Sequence, residues 1–317
     1  MPRPVVHAYG VRGSIPAAGR QYARFGGDTA SFVVVTPAGS RIFLDAGTGI
    51  LRAADEHMHR RRPPPAGTKF ALLLSHSHAD HVYGLGMCAL RWHCLDPKSS
   101  APRVDIFGPP GIDRGLDQFY DGRRTWPLVI GSGDNAVGTM PCVDRAWIRA
   151  VAGGEEIAID SSTRARAMLG SHPVDGGVAL YRLEFGGRKP SSIVYATDNE
   201  FDFLPGGVPN PRAGALKLEY SGFIEGADLL IADAQYTRDE YFKTGENDRK
   251  GFGHAYLEQI VELASAAGVR RLLVTHHGRH TDSLLLARER AARRLALKMK
   301  TDMKVEFARQ GKSYPVG

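Results

Sequence analysis

Seven residues, Ser75-His76-Ser77-His78-Ala79-Asp80-His81, follow directly on the apolar run Phe70-Ala71-Leu72-Leu73-Leu74. The run reads as a buried strand. Three imidazoles and a carboxylate at its end are costly to bury without partners. The strand must therefore end at an open edge of its sheet, where something can bind them. These N and O donors suit a divalent cation such as zinc. His76 and His78 are two residues apart, so on extended chain they point the same way. Asp80 and His81 fall where the chain turns into a helix predicted over 82–90, and they face a second point nearby. The layout suits two metal ions side by side better than one.

Three more apolar runs, at 164–169, 192–196 and 269–275, end at His172, Asp198 and His276. Any one of these alone is more often a surface or capping residue than a ligand. Together with the cluster they complete seven ligands: His76, His78 and His172 for one metal, Asp80, His81 and His276 for the second, and Asp198 bridging both. Each metal then has room for a shared water. A hydroxide held between two metals is a strong nucleophile near neutral pH, and the ions also stabilise charge on a phosphoryl or acyl centre.

The rest of the chain supplies a scaffold for such an edge. Strands are predicted at 5–9, 31–36, 41–44, 104–107, 178–185, 229–232 and 304–307, and further strand signals flank a turn at 153–156. Helices are predicted at 50–61, 112–120, 254–267 and 283–299. Strands alternating with helices, with hairpins mixed in, indicate α/β layers with partly antiparallel sheets. No linker divides the chain, so residues 1–317 are expected to form one domain. The weakly patterned segment 121–146 reads as an insertion or lid.

Composition narrows the class. Of 317 residues, 43% are hydrophobic and 24% charged, ordinary for a globular protein. No apolar run reaches the roughly 20 residues that span a bilayer, so no membrane partner is expected. The N-terminus lacks the apolar stretch of a secretory signal. Cys88, Cys94 and Cys142 are too few and too scattered for a disulfide framework, which makes the cytoplasm the expected location. The net charge of +7 can steer a phosphate-bearing substrate or simply solvate the surface. Arg60-Arg61-Arg62, before three prolines, reads as an exposed loop. Asp45 and Asp233, at strand ends, read either as turn formers or as partners that orient a ligand histidine. Tyr236, Tyr241 and Phe242 are spaced to stack on a base or sugar, or to pack in the core. A homodimer is compatible with the sequence.

His76-Ser77-His78-Ala79-Asp80-His81 resembles the His-x-His-x-Asp-His signature of the metallo-β-lactamase superfamily. Val11-Arg12-Gly13-Ser14-Ile15-Pro16, Phe25-Gly26-Gly27-Asp28-Thr29, Phe43-Leu44-Asp45-Ala46-Gly47-Thr48-Gly49, Phe107-Gly108-Pro109-Pro110-Gly111, Asp228-Leu229-Leu230-Ile231 and Gly253-His254 are similar to the subgroup of tRNase Z and the cyclic-nucleotide or cyclic-phosphate phosphodiesterases. The resemblance implies an αββα sandwich of two mixed sheets flanked by helices. It implies two divalent metal ions, Zn2+ foremost with Mn2+ or Fe2+ as alternatives, held by the seven ligands above. Asp80 and His254 are the catalytic candidates, His254 as a proton donor that contacts the scissile phosphate from a helix start. The implied activity is hydrolysis of a small cyclic or linear phosphodiester. The alternatives are a tRNase Z-like RNA 3′-end endonuclease, a hydrolase of another ester, thioester or lactone, and a non-catalytic regulatory module. RNA is the less favoured partner, because no long Gly/Pro-rich arm is visible and 121–146 is not strongly basic. Asp28 stands where the subgroup usually has Asn, and it is expected near the site.

Overall fold

The computed structural model describes residues 2–58, 64–87, 104–121, 130–131, 143–245 and 248–317. Two seven-stranded sheets carry the fold. The first holds β1 (Val5–Gly10), β2 (Ser31–Val35), β3 (Arg41–Leu44), β4 (Phe70–Leu73), β5 (Val104–Gly108), β6 (Ile148–Ala150) and β14 (Ser313–Pro315), in the order β14-β1-β2-β3-β4-β5-β6. The second holds β7 (Glu156–Asp160), β8 (Thr163–Gly170), β9 (Val178–Phe185), β10 (Ser191–Ala196), β11 (Leu229–Asp233), β12 (Arg271–Thr275) and β13 (Lys304–Phe307), in the order β13-β12-β11-β10-β9-β8-β7. Each sheet is half antiparallel and half parallel: β14 to β3 and β10 to β7 run antiparallel, while β3 to β6 and β13 to β10 run parallel.

Alternation along the strands builds three apolar layers. In β10, Ile193 and Tyr195 face the first sheet and meet Phe32, Leu44 and Leu73. Val194 and Ala196 face the other way, onto α4 (Ala213–Ile224), α6 (Leu257–Ala266) and α7 (Asp282–Lys298). On the first sheet, Val33, Phe43 and Leu72 pack against α1 (Ile50–His57) and α3 (Ile112–Phe119). Helix, sheet, sheet and helix follow in that order, as the resemblance implies. Among the described residues no helix is long and apolar enough to cross a membrane.

Two expectations change. Of the helix predicted over 82–90, residues 88–90 lie outside the described residues, and the rest is instead the end of a single turn, α2 (Ala79–Val82), followed by a 3-10 turn at Leu85–Met87. Gly84 stops it: its N–H donates to the Ala46 carbonyl at 2.9 Å, and a Cβ there would overlap the Gly47 carbonyl oxygen. The strand signals on either side of the 153–156 turn are strands of different sheets: β6 closes the first and β7 closes the second. His254 does not open a helix: α6 begins three residues later, capped at Tyr256.

Of the 121–146 segment, the described part pairs Ile130–Gly131 with Val143–Asp144 in parallel. Residues 122–129 and 132–142, the Arg60–Arg62 run and all three cysteines lie outside the described residues.

Candidate metal centre

Parallel register brings the carboxyl ends of β3, β4, β8, β10, β11 and β12 to one edge of the sandwich. The chain leaves these strands at Asp45, His76, His172, Asp198, Asp233 and His276. Asp45, Asp198 and His276 have positive φ of 59°, 56° and 56°. That conformation is unfavourable for a residue with a Cβ. It ends each ladder abruptly and turns the side chain off the sheet. All seven predicted ligands meet at this edge. All but His78 are buried, and His78 is half-buried.

Among the described residues the donors form four overlapping groups: the two expected, and also His76 with His81 and Asp198, and Asp198 with His254 and His276. His76, His78 and His172 offer atoms within 4.8 Å of one another, and so do Asp80, His81 and His276. In the first group His172 Nε2 lies 3.0 Å from His78 Nδ1. In the second, His276 Nε2 lies 3.1 Å from Asp80 Oδ2 and 3.3 Å from His81 Nε2. Asp198 stands between them, with Oδ2 3.4 Å from His81 Nε2 and Oδ1 3.3 Å from His276 Nε2 and 4.0 Å from His172 Nε2.

Around the cluster, further groups fix which nitrogen faces inward. His81 Nδ1 meets Asp45 Oδ2 at 2.7 Å, and Asp45 is held in turn by Ser75 and by the Tyr195 hydroxyl at 2.5 Å. His172 Nδ1 meets the Gly253 carbonyl, and His276 Nδ1 meets Gln235 Oε1, both at 3.0 Å. His76 Nδ1 meets Ser75 Oγ at 3.0 Å. The Ser14 N–H donates to Asp80 Oδ2 at 2.6 Å. The Nε2 atoms of His76, His81, His172 and His276 are thereby aimed at the centre, while His78 presents Nδ1; this is the arrangement in which imidazoles ligate a cation. His76 Nε2 is buried and has no hydrogen-bond partner, which a metal ion would supply. The donor set fits divalent cations.

Electrostatics favour the same occupant at His76, His172, Asp80 and Asp198; at His81 burial disfavours the cation but is outweighed by Asp80, Asp198 and Asp45, so a metal would have to displace its proton. Burial, reinforced by neighbouring His81 and His172, holds His76 neutral with its pKa well below the usual imidazole range. Burial also pushes His172 down to about 3. For Asp80 burial opposes ionisation but is outweighed by His81 and His276, so its carboxyl titrates well below the usual range. Asp198 behaves alike, with His276 and His81 outweighing its burial. Neutral imidazoles and ionised carboxylates are the ligating forms.

His254 is bound differently. It is buried, its Nδ1 lies 3.0 Å from Asp233 Oδ2, and Asp233 also accepts the Asp198 N–H at 2.9 Å. Burial disfavours its cation but is outweighed by Asp233 and Asp198, which raise its pKa above the usual value. Its ring centroid lies 5.0 Å from that of His276 and 5.6 Å from that of His172, so it borders both groups.

Asp45 and Asp233 are thus orienting partners rather than turn formers alone. Asp28 is not at the centre: its carboxylate accepts from Thr48 Oγ1 at 2.9 Å and Gln310 Nε2 at 2.6 Å. Tyr241 is core, as its spacing allowed. Sequence reasoning missed Gln235 and Glu200. Buried Glu200 accepts the Gly251 and Gly253 N–H groups at 2.8 and 2.5 Å and the Tyr241 hydroxyl at 2.6 Å. It fixes the loop that carries His254. Both sit two residues after a strand-end aspartate, the one signal that could have found them.

A family model described as β-lactamase superfamily domain matches residues 40–277. A Ribonuclease Z from Brevibacillus brevis is 26% identical over 261 residues, 75% of this chain and 76% of that protein. The metallo-β-lactamase fold protein YhfI from Bacillus subtilis superposes with a TM-score of 0.65 at 18% identity, covering 99% of this chain and all of that one. Zn2+-bound PqqB from Methylobacterium extorquens superposes with a TM-score of 0.64 at 15% identity, covering 98% of this chain and 99% of that one.

Proposed function

The chain belongs to the β-lactamase superfamily, and from that premise we propose that it is a metal-dependent phosphodiesterase. His76, His78 and His172 would hold one divalent ion and Asp80, His81 and His276 a second, with Asp198 placed between the two groups. Zinc is the expected metal, and manganese or ferrous iron suits the same donors. When bound, the ions supply a water of lowered pKa and neutralise charge on phosphoryl oxygens.

The observation that carries the reading is the Asp233–His254 pair. A hydrolase of activated esters needs no acid for its leaving group, whereas an alkoxide leaving a phosphodiester does. His254 borders the two trios and also lies in a metal-capable group with Asp198 and His276, but its Nδ1 is committed to Asp233. That leaves Nε2 free to donate. As water adds to phosphorus and the P–O bond to the leaving group breaks, the proton on His254 Nε2 passes to the departing oxygen. Asp233 holds the ring in place and stabilises the imidazolium beforehand. Asp80 serves as a ligand, oriented by the Ser14 N–H.

Likeness to a ribonuclease supports a second reading, in which the diester is part of an RNA. One experiment separates the readings. Zinc- or manganese-loaded protein is assayed on bis(p-nitrophenyl) phosphate, on a dinucleotide and on precursor tRNA. Hydrolysis of both small diesters is expected. His254→Ala should lower kcat on the dinucleotide about 10²–10⁴-fold, with metal content unchanged. The loss should be smaller on the nitrophenyl ester, whose leaving group needs no proton. Cleavage of thioesters or lactones with no phosphodiester turned over would overturn the proposal. Efficient cleavage of tRNA alone, with strongly salt-dependent binding, would select the RNA reading.

A further inference from the structure

Phe252 immediately precedes Gly253-His254, and its side chain is 53% exposed. It is not on a slack loop. The amides on either side, of Gly251 and Gly253, both donate to buried Glu200. The Gly253 carbonyl also holds His172. Gly253 has φ of 88°, and a Cβ there would overlap the His172 ring, so only glycine lets this loop close on the ligand. The exposed phenyl is therefore carried on backbone that is fixed relative to the centre.

It has a companion. The Arg249 guanidinium carbon lies 5.7 Å from the Phe252 ring centroid and 6.0 Å from that of Tyr236. Tyr236 in turn stands edge-on to His254, with centroids 5.9 Å apart. The neighbouring carboxylate of Asp248 is engaged by Lys250 Nζ at 3.0 Å. His254, Tyr236, Arg249 and Phe252 thus form a continuous run leading outward from the proton donor. It ends in an accessible phenyl beside a cation held against aromatic rings. That pairing takes a planar, electron-rich ring by stacking, while the guanidinium N–H groups remain available to an anion or a base edge.

We propose that Phe252 and Arg249 form a subsite that stacks the nucleobase on the leaving side of a nucleotide phosphodiester. The side follows from His254, since whatever adjoins a donor to the departing oxygen belongs to the leaving group. This rests on the phosphodiesterase reading for the bond cleaved, but base binding is measurable without turnover.

Zinc-loaded protein is titrated with adenosine and with methyl β-D-ribofuranoside, leaving-side alcohols with and without the base, with binding followed calorimetrically. Adenosine should bind about tenfold or more tightly. Phe252→Ala and Arg249→Ala should each bring the ratio of the two affinities toward one, and Phe252→Tyr should keep it. Because Phe252 is exposed, its truncation leaves the core intact, and unchanged zinc content checks this. Equal affinities in the parent protein, or a ratio unmoved by Phe252→Ala, would overturn the subsite. Neither result bears on whether phosphodiesters are hydrolysed, which the kinetic assay decides separately.

Discussion

Asp233 shows what a single carboxylate contributes here. It accepts the Asp198 N–H with one oxygen and fixes His254 Nδ1 with the other. Asp233→Asn keeps an acceptor for the amide but removes the charge that stabilises the imidazolium. Its kcat on a dinucleotide should fall about tenfold or more. The pH profile should also move in a definite direction. His254 acts in its protonated form, so activity is lost as pH rises through its pKa. Asp233 raises that pKa, and without it the alkaline fall in rate should shift to lower pH; an unmoved profile would mean that Asp233 only braces the fold. At this scale the sequence was informative where side chains carry the chemistry. Three histidines and an aspartate within six residues announce a ligand cluster by their types alone. The groups that aim those ligands were not legible in the same way. The Gly253 carbonyl and the Ser14 N–H are backbone atoms with no compositional mark, and Gln235 is an unremarkable polar residue until His276 Nδ1 is seen against it.

At the scale of strands and helices, the strand ends were legible because apolar runs stop sharply at polar residues. Helix limits failed at Gly84 and His254, where close backbone contact and a glycine turn override local pattern. The separation of β6 and β7 into different sheets was hidden too, since a short turn between strand signals looks the same whether or not the strands pair. The second sheet also carries a stability device at its edge. Glu306 on β13 accepts from Arg271 on β12 and from Lys312, which lies 3.1 Å away. Burial of Glu306 opposes ionisation, but these bonds outweigh it and push the carboxyl from 4.5 down to about 2. A depressed folded-state pKa stabilises above the unfolded value and is lost as pH falls from 4.5 toward 2. Glu306→Gln should therefore lower stability at pH 7 by about 1 kcal/mol, reduced from the full linkage value because Arg271 and Lys312 are partly solvated. Denaturant melts should show the gap between the two proteins closing through that acid window; a constant gap would assign the effect to packing.

Across the molecule, the seven ligand candidates divide between the two sheets. His76, His78, Asp80 and His81 come from the end of β4 and the turn after it, whereas His172, Asp198 and His276 follow β8, β10 and β12. Each proposed ion thus draws ligands from both sheets and would staple the sandwich at its open edge, opposite the continuous apolar layer that holds the sheets elsewhere. A ligand that binds only the folded chain stabilises it by about 3–4 kcal/mol at 100–1,000 times its dissociation constant. For a chain of this size that corresponds to roughly 5–10 °C in Tm. Chelation of the zinc-loaded protein should lower Tm by that amount, and readdition of zinc should restore it. His172→Ala removes one of the second sheet's ligands to one ion, and His76→Ala one of the first sheet's. Both should shrink the chelation shift by a similar amount even though the residues lie on different sheets. If His76→Ala abolished the shift while His172→Ala left it whole, the ions would be held by the His76–His81 turn alone. The sheets would then be joined by their apolar layer without help from the metal.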